Sequence, residues 1–157
     1  MHQSPAAFAR RLIWKFRRSG GEGHSTKFFA SFATEVQTLL LRQAEVADEE
    51  IPAIASFTDN ANWMLLTSHR LLWSEEGNRK QVDLAEIEWV RAGRDGGRAK
   101  FPDSPRFKDK PPPHLTVRTK SGEVSVSCEP GRPFFGLWSA LLLVAKARRP
   151  LLKSDVE

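Results

Sequence analysis

Between Asn62 and Val90 the apolar and polar positions follow one another with the spacing of short strands. Trp63-Met64-Leu65-Leu66-Thr67 and Arg70-Leu71-Leu72-Trp73-Ser74 are two largely apolar runs separated by Ser68-His69, a break that suits a tight hairpin. A second break falls at Glu75-Glu76-Gly77-Asn78. Val82 and Leu84, then Ile87 and Trp89, lie two apart with charged residues around them, the period of a strand buried on one face. The pattern predicts a one-sided antiparallel meander whose apolar face needs a second layer.

The flanking segments supply further elements. Ile51 to Phe57 predicts a first strand, with Pro52 at its start or on an edge. Leu115, Val117 and Thr119 alternate, Lys120-Ser121-Gly122-Glu123 turns the chain, and Val124, Val126 and Cys128 alternate back as a hairpin. Pro133 suits the first turn of a helix whose apolar residues from Phe134 to Val144 cover more than half its circumference, with Pro150 as its expected stop. Towards the N-terminus, Ser25 or Thr26 is placed to cap a helix running from about residue 26 to Ala44, carried by Phe28, Phe29, Phe32, Val36, Leu39 and Leu40. Gly20-Gly21-Glu22-Gly23 reads as a flexible joint. These breaks divide the chain into a basic N-terminal tail (1–24), a domain (25–150) including the helix 26–44, and a C-terminal tail (151–157). The segment Arg91 to Pro113, rich in Gly and Pro, is too long for an ordinary connection and reads as a binding loop or a locally disordered stretch.

Composition narrows the class. The chain has 157 residues, 40 % hydrophobic and 27 % charged, which is ordinary for one globular unit. A single cysteine, Cys128, excludes an internal disulfide and a cysteine-based zinc site, and points to a reducing, cytoplasmic setting. No apolar run reaches the ~18 residues of a membrane span. The net charge of +5 is concentrated before residue 28, where Arg10, Arg11, Lys15, Arg17, Arg18 and Lys27 oppose Glu22 alone. The rest of the chain is balanced, which argues against a nucleic-acid-binding domain. Within the basic segment Phe8, Leu12 and Phe16 are spaced by four, so a short amphipathic helix is available, either docked on its own domain or lying in an anionic membrane surface.

Candidate chemistry is sparse. The histidines at 2, 24, 69 and 114 form no local metal pair, and Cys128 has no histidine beside it in sequence. Glu86 and Glu88 fit the solvent side of an amphipathic strand better than a catalytic pair. Gly93-Arg94-Asp95-Gly96-Gly97 lacks the Lys-Ser/Thr of a phosphate loop. No catalytic residue, metal ligand or cofactor is assigned.

The order of elements, about seven short strands followed by one apolar helix, resembles the pleckstrin-homology-like superfold. Trp63-Met64-Leu65-Leu66-Thr67-Ser68-His69-Arg70-Leu71-Leu72-Trp73 is similar to the leucine-threonine-x-x-arginine-leucine strand pair of bacterial PH and GRAM-like domains, and Val82 to Val90 is similar to the strand that follows it. The resemblance covers roughly Glu50 to Arg149. It implies an α+β fold, a bent antiparallel sheet of about seven strands closed by the C-terminal helix, with the N-terminal helix as an addition. On that fold Arg70 is expected to brace a neighbouring acidic strand such as Asp83 to Glu88, and Phe134, Trp138 and Leu141 to bury against Leu65, Leu71, Trp73 or their face-mates. Loss of Trp138 would then cost ~3–5 kcal/mol. The resemblance also implies a non-enzymatic binding module engaging a protein or peptide. The alternative is peripheral attachment to anionic lipid through Arg10, Arg11, Trp14, Lys15, Arg17 and Arg18, joined by Arg148 and Arg149. The usual phosphoinositide loop corresponds to Thr58-Asp59-Asn60-Ala61, which carries an acid instead of basic residues.

Overall fold

A computed structural model describes residues 4–93 and 113–156, with side chains in the last helix as far as Ala147. The expected binding loop therefore lies largely outside the described residues. The described chain is an α+β domain of two antiparallel sheets and three α-helices. Strands β1 (Thr26–Phe28), β2 (Pro52–Asp59), β3 (Asn62–Thr67), β4 (Arg70–Glu75) and β5 (Asn78–Asp83) are neighbours in that order in the larger sheet. The smaller one contains β6 (Ile87–Gly93), β7 (His114–Thr119) and β8 (Gly122–Ser127). Helix α1 (Pro5–Ser19) precedes β1, α2 (Thr34–Ala44) lies between β1 and β2, and α3 (Arg132–Val156) follows β8.

The two sheets enclose one core. Ile54, Leu66, Leu71 and Val82 stand side by side on the inward face of the larger sheet and pack with Ile87, Val90, Leu115, Val117 and Val126 of the smaller one. Phe134, Leu137, Leu141 and Val144 of α3 cover this space, as expected, and Trp138 packs at its margin only partly buried. Leu65 is not beneath α3. It points to the opposite face with Ala55, Trp63 and Leu72, where α2 lays Leu40 and Ala44 over it. The meander is thus covered on both sides at β3 and β4, and the unbroken run Trp63-Met64-Leu65-Leu66 is the signature of that double burial.

Three further elements depart from expectation for identifiable reasons. The helix placed at 26–44 begins at Thr34; before it Thr26, Lys27 and Phe28 pair with Ser56, Ala55 and Ile54, since a run of aromatic residues suits an edge strand. Val82 to Val90 is not one strand, because the 3₁₀ turn Leu84–Glu86 carries the chain from one sheet to the other. A register shift between Ile87 and Trp89 then turns Val90 inward and leaves Trp89 outside under the Arg91 guanidinium, 4.5 Å from the ring centre. Finally, α3 continues through Pro150 to Val156 where a C-terminal tail was expected, for a proline removes one helical hydrogen bond without obliging the chain to leave the helix.

The basic segment is part of the same unit. Ser4 Oγ accepts from the Ala7 N–H at 3.1 Å, Pro5 occupies the first turn, and Arg17 and Arg18 lie at the negative end of the helix dipole. Leu12 and Phe16 are fully buried against the common core, worth about 1.5–3 kcal/mol each. Phe16 lies on Gly136 and Gly20 on Arg132, so α1 and α3 run antiparallel. A Cβ at Gly136 would stand 2.6 Å from Phe16 Cδ1, and one at Gly20 would collide with the Arg132 carbonyl oxygen. Arg132 Nε also donates to the Gly20 carbonyl at 3.0 Å. The glycine stretch expected as a flexible joint is therefore packed at its first residue against α3.

Candidate functional site

The register of the larger sheet builds a groove at one end of the core. Moving along β2–β4, the inward row Ile54, Leu66, Leu71 gives way to Ser56, Met64, Trp73. Beyond that row lie Thr58, Asn62 and Glu75. Apolar packing cannot continue past Ser56, and the exit of β8, at Ser127, Cys128, Glu129 and Pro130, forms the facing wall. The open groove between them has a volume of about 430 Å³. Ser127 Oγ reaches across to Glu75 Oε2 at 3.4 Å. Trp73, only 2 % exposed, lines the groove, and its indole N–H has no hydrogen-bond partner among the described residues. Among the described residues no Lys or Arg lines the groove, whereas Glu75 and Glu129 do, a lining that does not suit a phosphate.

Glu129 holds one rim in place. Its carboxylate accepts from the backbone N–H groups of His24 at 2.6 Å, Ser25 at 2.9 Å and Thr26 at 2.8 Å, and from Ser25 Oγ at 3.0 Å. Burial raises its pKa, but the donated N–H groups outweigh burial and hold it below the ordinary carboxylate value. The clasp fastens the start of β1 to the loop before α3. In the β2–β3 turn Asp59 is also held low, by the Ala61 N–H and the Asn62 side chain, and it ties that turn down. Cys128, in the facing wall, is a buried thiol whose pKa burial pushes up to about 12, which disfavours the thiolate at neutral pH.

Arg70 does not brace Asp83 to Glu88 as its main contact. Its Nε and Nη2 donate to the two oxygens of Glu50 at 2.9 and 2.7 Å, Nη1 donates to Gln81 Oε1 at 3.0 Å, and Nη2 also reaches the carbonyls of Ala44 and Glu45. Thr67 Oγ1 accepts the N–H groups of His69 and Arg70 and lies 2.5 Å from Glu50 Oε2. The Thr-x-x-Arg phrase is therefore a turn clamp that also satisfies the last carbonyls of α2. It is structural, as is the exposed His69, whose Nδ1 meets Ser68 Oγ at 2.7 Å.

All six residues proposed for membrane or anion contact fall on α1. The apolar stripe of that helix faces the core, with Leu12 and Phe16 buried in it and Phe8 packed against it. Arg10, Arg11, Trp14, Arg17 and Arg18 are exposed and Lys15 is half-buried. Arg18 stacks on Trp14 at 5.1 Å and Arg17 on Phe28 at 5.0 Å. The side chains of Arg148 and Arg149 lie outside the described residues.

Sequence reasoning missed the groove. Its local signal is the hydroxyl of Ser56, a small polar residue inside an otherwise apolar strand. Glu129 could not be connected to His24 and Thr26 without the fold. Among the described residues no group of His, Cys, Asp and Glu is arranged to hold a metal ion. No described helix is long and apolar enough to cross a membrane. The chain matches no family model, no curated protein and no solved structure.

Proposed function

We propose that the chain is a non-enzymatic binding module of the PH-like kind and that the groove between β2–β4 and the end of β8 receives a protein or peptide segment. Support for the PH-like reading comes from β2 to β8, seven strands in a four-then-three order followed by α3, with β1, α1 and α2 as additions. The observation that carries the binding reading is a groove lined by serine and threonine hydroxyls together with Trp73, whose buried indole N–H has no hydrogen-bond partner among the described residues. A shift of the Trp73 ring towards the groove would let a peptide carbonyl satisfy that donor, and backbone amides would find acceptors in Glu75 and the hydroxyls. The acidic rim favours a neutral or basic segment.

Panning a random peptide library against the folded domain tests this. Selected peptides should lose about tenfold in affinity with Trp73→Phe, which keeps an aromatic ring and removes the donor, and should be blocked by Ser127→Trp. Peptides indifferent to both substitutions would place the binding surface elsewhere and remove the basis for the groove.

A further inference from the structure

Helix α1 carries its cations on the arc that faces away from the core. At 3.6 residues per turn, Trp14 sits opposite the buried Leu12 and Phe16, at the centre of the exposed arc. Arg10 and Arg17 flank it on one side and Arg18 and Arg11 on the other. No acidic residue occurs between Pro5 and Ser19. Trp14, at 52 %, is the most exposed large apolar side chain among the described residues. A rigid helix, pinned through Phe16 to Gly136 and through Gly20 to Arg132, thus holds one indole in water inside a ring of guanidinium groups.

We infer that α1 lies flat on an anionic lipid bilayer, with Trp14 in the interfacial layer and Arg10, Arg17 and Arg18 against lipid phosphates. Trp is the side chain best matched to the headgroup region, where its ring leaves water while its N–H stays hydrogen-bonded. The cations supply long-range attraction to an anionic surface and bidentate contacts to phosphate oxygens. A nucleic-acid duplex would use the same cations, but its bases are already stacked and offer an exposed central tryptophan no comparable layer. Since Leu12 and Phe16 are committed to the core, insertion is shallow and attachment rests mainly on charge, so it is reversible and salt-sensitive. This inference is independent of the groove and survives if the groove proves empty of function.

Co-sedimentation of the whole chain with vesicles of phosphatidylcholine mixed with phosphatidylglycerol, against pure phosphatidylcholine, tests it. Binding should appear only on the anionic vesicles and fall steeply with added salt. Each Arg→Gln change at 10, 17 or 18 should weaken it about fivefold. The triple Arg→Lys variant, which keeps the charge, should retain most binding, and unchanged thermal midpoints would show that both variants are folded. Trp14→Ser should weaken binding, and brominated lipid should quench the wild-type fluorescence more than that of Trp14→Phe. Equal binding to neutral vesicles, no loss in the triple Arg→Gln variant, or retardation of duplex DNA by a protein that ignores vesicles would each overturn the inference.

Discussion

Arg70 grips Glu50 through two parallel contacts, Nε to Oε2 at 2.9 Å and Nη2 to Oε1 at 2.7 Å, across the junction of α2, β2 and β4. The Glu50 side chain is 3 % exposed and that of Arg70 18 %. Removing one partner leaves the other charge in a site built for two, so Glu50→Ala or Arg70→Ala should each cost about 3 kcal/mol. The double variant should cost less than the sum of the two. Chemical denaturation of the four proteins measures this; additive losses would show that the pair is not coupled.

Acid should unfold the domain through Glu50 and Glu129. Burial opposes ionisation of both, yet the Arg70 and Thr67 hydrogen bonds on Glu50 and the three backbone N–H groups on Glu129 outweigh it, so both folded pKa values lie below the ordinary one. A carboxylate depressed on folding contributes stability above its unfolded pKa of about 4.3 and loses it as pH falls towards the folded value. Thermal midpoints should therefore be flat above about pH 5 and drop steadily below it. Glu129→Gln should flatten that drop; an acid limb unchanged in both Glu129→Gln and Glu50→Gln would contradict the assignment.

Cys128 should be inert while the domain is folded. Burial pushes its thiol up to about 12 and its Sγ lies 3.4 Å from the Val126 carbonyl oxygen. Labelling by a thiol-specific disulfide reagent should proceed only at the rate of unfolding and become immediate in denaturant. Rapid labelling of native protein would show that the groove wall opens.

Gly136 should be intolerant of any side chain. The Cβ of Gly136→Ala would press on both the ring and the carbonyl oxygen of Phe16, 2.6 and 2.9 Å away, and overpacking of this kind costs about 1–3 kcal/mol. Leu12→Ala, which hollows the same contact, should cost about 2–5 kcal/mol. Trp138, half-buried instead of enclosed, should cost less on truncation than Leu141. A Gly136→Ala protein as stable as the parent would mean that α1 is not fixed to α3.

Periodicity carried much of this fold and little of the site. The four-residue spacing of Phe8, Leu12 and Phe16 exposed a docking stripe, and the alternation from Leu115 to Cys128 exposed a hairpin, because each pattern reports one neighbouring layer. Trp63 to Leu66 could not say which residue faced which layer, since both faces are covered. Glu88, the extra residue at the register shift, reversed the sides of Trp89 and Val90, and a pattern of single letters does not register one inserted position. The groove depends on Ser56, Trp73 and Ser127 meeting from β2, β4 and β8, and Glu129 finds its donors more than a hundred residues away. Such meetings belong to topology and leave no local mark.

The indole resonance of Trp73 tests the binding surface most directly. In a two-dimensional nitrogen–proton spectrum the five tryptophans give five indole signals, and Trp73→Phe assigns the relevant one. On saturation with a selected peptide, that proton should move downfield and exchange more slowly as it gains an acceptor, while the Trp14 signal on α1 stays in place. A peptide that binds tightly and leaves the Trp73 signal unmoved would contradict the groove as the site of recognition.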